Sequence, residues 1–136
     1  MTLSPDHVEL PGLNTSMTIN RPGPSVVVVA ITGADVGELG DAPFEELERQ
    51  LGCGPISLFI DARKTRGASI DVSNLWARWL RKHRDRLVRV HMLAASRYVR
   101  ITADFVRRFA ELGDTMLIYA NPDVFDETLE SALQAP

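Results

Sequence analysis

The sequence predicts an α/β fold: a mixed, mostly parallel sheet of about five strands covered by about four helices, in the order ββαβαβαβα. Three observations predict it. Short aliphatic runs alternate along the chain with longer stretches in which apolar residues recur every three or four positions. All but the last of these helix-period stretches separate two strand-like runs, so most strands must be joined by crossovers and lie parallel. Finally, Val26–Thr32 and Ile56–Ile60 are apolar at both odd and even positions, the pattern of strands covered on both faces.

The elements follow in order. Residues 1–15 hold Pro5, Pro11, Gly12 and Asn14 without a period and read as an irregular lead-in. Met17–Asn20 alternates as a short strand. Arg21-Pro22-Gly23-Pro24 is turn chemistry, so this strand and Val26–Thr32 form a hairpin. Asp41-Ala42-Pro43 opens a helix with a capping acid and an early proline, and Phe44, Leu47 and Leu51 share its inner face. Gly52–Pro55 stops it, Ile56–Ile60 is the next strand, and residues 62–70 read as a polar loop. From Asp71, a second helix carries Val72, Leu75, Trp76, Trp79, Leu80 and His83 on one stripe. Leu87–Ala95 is a strand. The following helix, Tyr98–Leu112, is predicted to turn Tyr98, Ile101, Phe105, Phe109 and Leu112 to the core. Thr115–Ala120 is the last strand, and Asn121-Pro122 opens a final acidic helix.

A chain of 136 residues corresponds to one domain, 1–136, whose core needs no disulfide or metal staple. With 45% hydrophobic and 24% charged residues, the composition is that of an ordinary globular protein and excludes disorder. The longest aliphatic run, Val26–Ile31, falls far short of the ~20 residues of a membrane span. No basic segment followed by an apolar stretch opens the chain, and Cys53 has no second cysteine to pair with, so a cytoplasmic location is expected.

Net charge is −3, but it is segregated. Residues 1–62 carry nine acids and two bases, residues 63–108 three acids and thirteen bases, and residues 109–136 six acids and no base. The basic middle either complements neighbouring acidic surfaces of the same fold, or of a second copy, or meets an anionic partner. The strongest candidate surface is the segment Arg63, Lys64, Thr65, Arg66 leading to Ser69 and Asp71, continued on the next helix by Arg78, Arg81 and Lys82. It lies beyond the carboxyl end of a strand and runs into a helix N-terminus, where backbone N–H groups favour anions.

Signals for catalysis and cofactors are weak. Thr32–Gly40 is glycine-broken but lacks G-x-G-x-x-G spacing and a Gly-Lys-Ser/Thr, and Asp35 and Glu38 would oppose phosphates. His7, His83 and His91 show no metal-ligand spacing. Asp61, His91 and Ser96 compose a nucleophilic triad only on paper, because Ser96 has no nucleophile elbow. No cofactor, metal or nucleic acid is expected, since aromatics exposed for base stacking are not evident. Trp76 and Trp79 belong to the stripe facing the sheet; the sharper reading makes them, with Phe105, the wall of an apolar pocket.

Three stretches together resemble a known family. One strand ends Ile31-Thr32-Gly33. A second ends Leu58-Phe59-Ile60-Asp61-Ala62-Arg63 before a tryptophan-bearing helix. Then come His83–Val90, a strand, Ser96-Arg97-Tyr98 and a helix, and the chain closes on a strand, Asn121-Pro122-Asp123 and a last helix. The pattern, over residues 16–134, resembles the SpoIIAA-like branch of the STAS superfamily, often grouped with Sec14-like sheets. The resemblance implies a small cytoplasmic regulatory module without catalysis that binds another protein, or itself as a dimer. Alternatively, the Sec14 likeness implies a carrier of a small apolar ligand or lipid. Well-studied members bind a kinase-like anti-sigma factor and are switched by phosphorylation of a serine in an Asp-Ser-Ser-Gly turn. The corresponding stretch here, Gly67-Ala68-Ser69-Ile70-Asp71, lacks that motif, and Ser73 is out of frame as well.

Overall fold

The sheet carries its strands in chain order: β1 (Leu3–Ser4), β2 (His7–Leu10), β3 (Thr15–Gly23), β4 (Val26–Asp35), β5 (Ile56–Ala68), β6 (Leu87–Leu93) and β7 (Met116–Tyr119). These coordinates are a computed structural model describing residues 3–4 and 7–134. Strands β1 to β4 pair antiparallel, and β4 to β7 pair parallel. Helices α1 (Ala42–Leu51), α2 (Ile70–Lys82) and α3 (Arg97–Phe109) are the three crossovers, and α4 (Pro122–Gln134) follows β7.

That order fixes where the helices sit. Three right-handed crossovers stepping the same way along a sheet must lie on one face. Accordingly, Leu47 and Leu51 of α1, Trp76 and Leu80 of α2, and Ala103 and Val106 of α3 share one core with Ile19, Val27, Leu58 and Val90. Helix α4, which follows β7, takes the opposite face, where Phe125 packs with Val26, Phe59 and Leu93. Both faces of β4 and β5 are therefore covered, as the apolar residues on both sides of Val26–Ile31 and Ile56–Ile60 require.

The five expected strands and four helices occur in the expected order, and β3 and β4 form the expected hairpin. The hairpin turn falls at Pro24-Ser25 rather than at Arg21–Pro24. Pro22 is accommodated in β3 because the register slips between Asn20 and Gly23, where a missing N–H costs no ladder bond. The lead-in is not irregular over 7–10: Val8 and Leu10 are buried and β2 pairs with β3. Four residues of alternation were too few to stand out beside Pro11 and Gly12. Residues 1, 2, 5 and 6 of the lead-in lie outside the described residues.

Helix α3 is turned the other way from the sequence expectation. Val99, Ala103, Val106 and Ala110 face the sheet, whereas Tyr98 and Ile101 are each 61% exposed, Phe109 45% and Phe105 42%. Leu112 is buried, but beyond the helix end. The helix has two apolar arcs, and the one with the smaller residues won. Ala103 and Ala110 are fully buried and let the helix backbone approach the strands closely, which a stack of aromatic rings would prevent.

Candidate functional site

The stretch expected to be a loop after Ile60 is strand. β5 continues to Ala68 alongside the end of β4, with Thr32 opposite Lys64, Gly33 opposite Thr65 and Asp35 opposite Ala68. Two irregularities in that register absorb extra β5 residues, and Gly67 takes φ +152°, a conformation glycine alone adopts easily. A run such as Arg-Lys-Thr-Arg carries no strand signal of its own; the ladder offered by β4 imposes one.

The candidate residues then separate by role. Arg63 is engaged within the fold: its Nε lies 3.0 Å from Asp61 Oδ1, and its Nη2 2.5 Å from Asp126 Oδ1 on α4. The hydrogen bonds to Asp126 and then Asp61 raise its already high pKa. Thr65 turns inward and donates from Oγ1 to the Ile31 carbonyl at 3.1 Å. Ser69 is the N-cap of α2, its Oγ accepting from Val72 N–H at 3.2 Å. Asp71, Arg78, Arg81 and Lys82 share the exposed outer face of α2, with Lys64 and Arg66 exposed near its start. Arg81 and Arg84 both reach Glu111, at 3.2 and 2.9 Å, and lower its pKa, Arg84 more than Arg81.

Much of the basic segment is thus consumed inside the fold. Arg86 donates to the Leu51 carbonyl at the end of α1, Arg89 to the Asp114 carbonyl, and Arg107 and Arg108 pair with Asp104. Among the described residues, Lys64, Arg66, Lys82 and Arg97 have neither a hydrogen bond nor an ion pair from their side chains. They are the cations left for something else.

The alternative pocket is present but small. A cavity of about 60 Å³ lies between the sheet, α2 and α3, lined by residues including Ile60, Thr65, Trp76, Met92 and Ala103. Trp76 lines it as expected. Trp79 does not: it packs against Phe44 at 6.3 Å and His83 at 4.6 Å between ring centroids, on the α1 side. Phe105 does not either, because α3 presents it to solvent, stacked on Phe109 at 5.8 Å. The cavity is below the roughly 150 Å³ that takes a benzene ring, so it does not favour the carrier of an apolar ligand or lipid.

The paper triad is dispersed into structural tasks. Asp61 binds Arg63, and Ser96 caps α3 by accepting from Val99 N–H at 3.1 Å. His91 is buried beneath α4, stacked on Phe59 with ring centroids 4.2 Å apart, and Nδ1 lies 2.8 Å from the Tyr119 hydroxyl. Burial, helped by Arg89 on the same strand, pulls its pKa down to about 4. Unfolding restores the ordinary value near 6.5, so between these two values the unfolded chain binds more protons and stability falls with falling pH. We expect a loss of about 2–3 kcal/mol between pH 6.5 and pH 4. The half-buried His7, whose pKa is raised by Glu9 and Asn20, works weakly the other way. Urea melts at several pH values check this, with His91→Phe expected to flatten the dependence.

No protein-family model matches the chain, and no curated protein matches it. Solved structures do. An uncharacterized protein of the DUF3478 family with a SpoIIAA-like fold, from Shewanella loihica PV-4, superposes with a TM-score of 0.60 over 95% of this chain and 99% of that one, at 16% identity. The chain has a SpoIIAA-like fold. The anti-sigma factor antagonist SpoIIAA in its unphosphorylated form superposes equally well, with a TM-score of 0.60 at 15% identity, covering 84% of this chain and 96% of that one. The SpoIIAA-like fold accounts for the hairpin followed by parallel strands on which Ser69 and α2 are mounted. The signal that sequence reasoning missed is the outer arc of α3, whose large side chains looked like core. Its exposure also puts aromatics on the surface, where none was expected.

Proposed function

We propose that this chain is a non-catalytic, cytoplasmic STAS-type regulatory module that works by binding another protein through the outer face of α2 and the adjoining end of β5. The observation that carries this reading is the set of uncompensated cations there. Lys64, Arg66 and Lys82 have no partner among the described residues, although acidic side chains are plentiful elsewhere in the chain. The likeness to an anti-sigma factor antagonist supports a protein as the target. The commitment of Asp61, His91 and Ser96 to structural contacts supports a role without catalysis. Among the described residues no helix is long and apolar enough to cross a membrane.

The test is affinity capture from the native host with wild type and with a Lys64→Glu/Arg78→Glu/Lys82→Glu variant, followed by mass spectrometry. These side chains are exposed, so the variant should melt within about 0.5 kcal/mol of wild type. A bound protein released by moderate salt, and at least about ten-fold depleted with the variant, is the expected result. Equal recovery with both proteins removes α2 as the contact. A chain that sediments as a monomer and retains no protein removes the module reading.

A further inference from the structure

We infer that the outer face of α3 is a docking surface for an acidic amphipathic helix of a partner protein. The inference rests on the regulatory-module reading and names the chemistry of the partner. Tyr98, Ile101, Phe105 and Phe109 recur at i, i+3, i+7 and i+11 and fall within an ~80° arc at 100° per residue. All four are large and substantially exposed. Phe105 and Phe109 are stacked on each other and so are already held in place. Tyr98 lies against the backbone of Gly67, where an added Cβ would sit 2.9 Å from the ring. Ile70, 80% exposed, stands at the first position of α2, three residues after Gly67. Isolated apolar side chains are ordinary on a protein surface, but a row of three aromatics and an isoleucine about 16 Å long on one helix is not.

The charge around the row selects its occupant. Arg97 and Arg108 border one side of it on α3, and Arg66 adjoins Gly67 at the Tyr98 end. Arg97 and Arg66 have no partner among the described residues, while Arg108 shares Asp104 with Arg107. An apolar stripe edged by arginines, two of them without a partner among the described residues, matches a helix that is apolar on one face and acidic beside it. A second copy does not fit as well. Two α3 helices placed face to face would oppose these arginines to one another. The acidic α4 of another copy lies on the far side of the sheet from α3, so that contact would be head-to-tail and build a ring or a filament, not a two-fold dimer. A flat anionic bilayer is disfavoured because α1, with Glu45 and Glu48, lies on the same face of the sheet. A narrow helix along α3 avoids those carboxylates.

The experiment is a fluorescence-anisotropy titration of the full chain. The probe is a labelled helical peptide with leucine at i, i+3, i+4 and i+7 repeats and glutamate between them. We expect saturable binding at least about ten-fold tighter than for the same peptide with lysine in place of glutamate. Ile101→Asp/Phe105→Asp should weaken it at least about ten-fold, and Arg66→Glu/Arg97→Glu about five-fold, with melting curves unchanged. No binding, or equal binding of the acidic and basic peptides, overturns the inference. So does an α3-dependent dimer, or α3-dependent binding to phosphatidylglycerol vesicles or to a single-stranded oligonucleotide in place of the peptide. A host protein that stays bound to the Ile101→Asp/Phe105→Asp variant but is lost on reversing charges on α2 also overturns it, and leaves the regulatory-module reading standing.

Discussion

Ala103→Asp is expected to unfold the protein under conditions in which Phe105→Asp leaves it intact. The two positions are two residues apart on α3, and Phe105 is the larger and more apolar. Ala103 is fully buried against the sheet, in the core it shares with Trp76 and Leu80. A carboxylate there has no cation within the core and must lose its hydration or push the helix off the sheet. The cost exceeds about 4 kcal/mol, a large part of the total stability of a domain this size. Phe105 is 42% exposed, and an acid there remains in water, so the change should stay within about 1 kcal/mol. Tryptophan fluorescence in urea reads both, since Trp76 and Trp79 are buried in the same core. If Phe105→Asp proved the more damaging, α3 would be oriented as its aromatic periodicity suggests, and the docking surface would not exist.

The same helix shows where sequence reasoning runs out. The first halves of β4 and β5 were legible because their apolar residues fall on both faces, and only a doubly covered strand tolerates that. Helix α2 was legible because it has a single stripe. Its opposite side carries Asp71, Arg78, Arg81 and Lys82, so just one orientation buries its apolar residues. Helix α3 offers two apolar arcs, and their ranking depends on how much room the sheet leaves, a quantity that exists only once the strands are assembled. The end of β5 was illegible for a related reason: its residues form a strand because β4 extends beside them to Asp35.

The candidate site was legible in part. The concentration of bases between residues 63 and 108 is a property of the sequence, but which of them find acids at home is a property of the fold. Asp126 lies 63 residues from Arg63, and Glu111 lies 30 from Arg81 and 27 from Arg84, separations that no local pattern reports. Once those pairs are removed, the remaining cations stand at the end of β5, on α2 and at the start of α3. Charge counting marks a basic region; subtraction of internal partners marks where a second molecule can compete.

Phe125→Ala is expected to release α4 from the sheet, whereas Arg63→Ala is not. Helix α4 carries one fully buried side chain, Phe125, set edge-on to Phe59 at 5.7 Å and to Tyr119 at 5.6 Å. Leu129 and Ala132 are only partly covered. Truncating a buried phenylalanine costs about 3–5 kcal/mol, so α4 amides should exchange with solvent by at least two orders of magnitude faster. The Arg63–Asp126 pair is the other tie, but Asp126 is about half exposed, and such pairs contribute about 0–1 kcal/mol. His91 supplies an independent readout. Its pKa is held near 4 chiefly by burial, and Phe125 belongs to the aromatic cluster that covers it through Phe59 and Tyr119. In Phe125→Ala the imidazole should titrate closer to 6.5 by proton NMR, while in Arg63→Ala it should stay near 4. A His91 pKa that did not move in Phe125→Ala would mean that the strands, not α4, keep water from the ring.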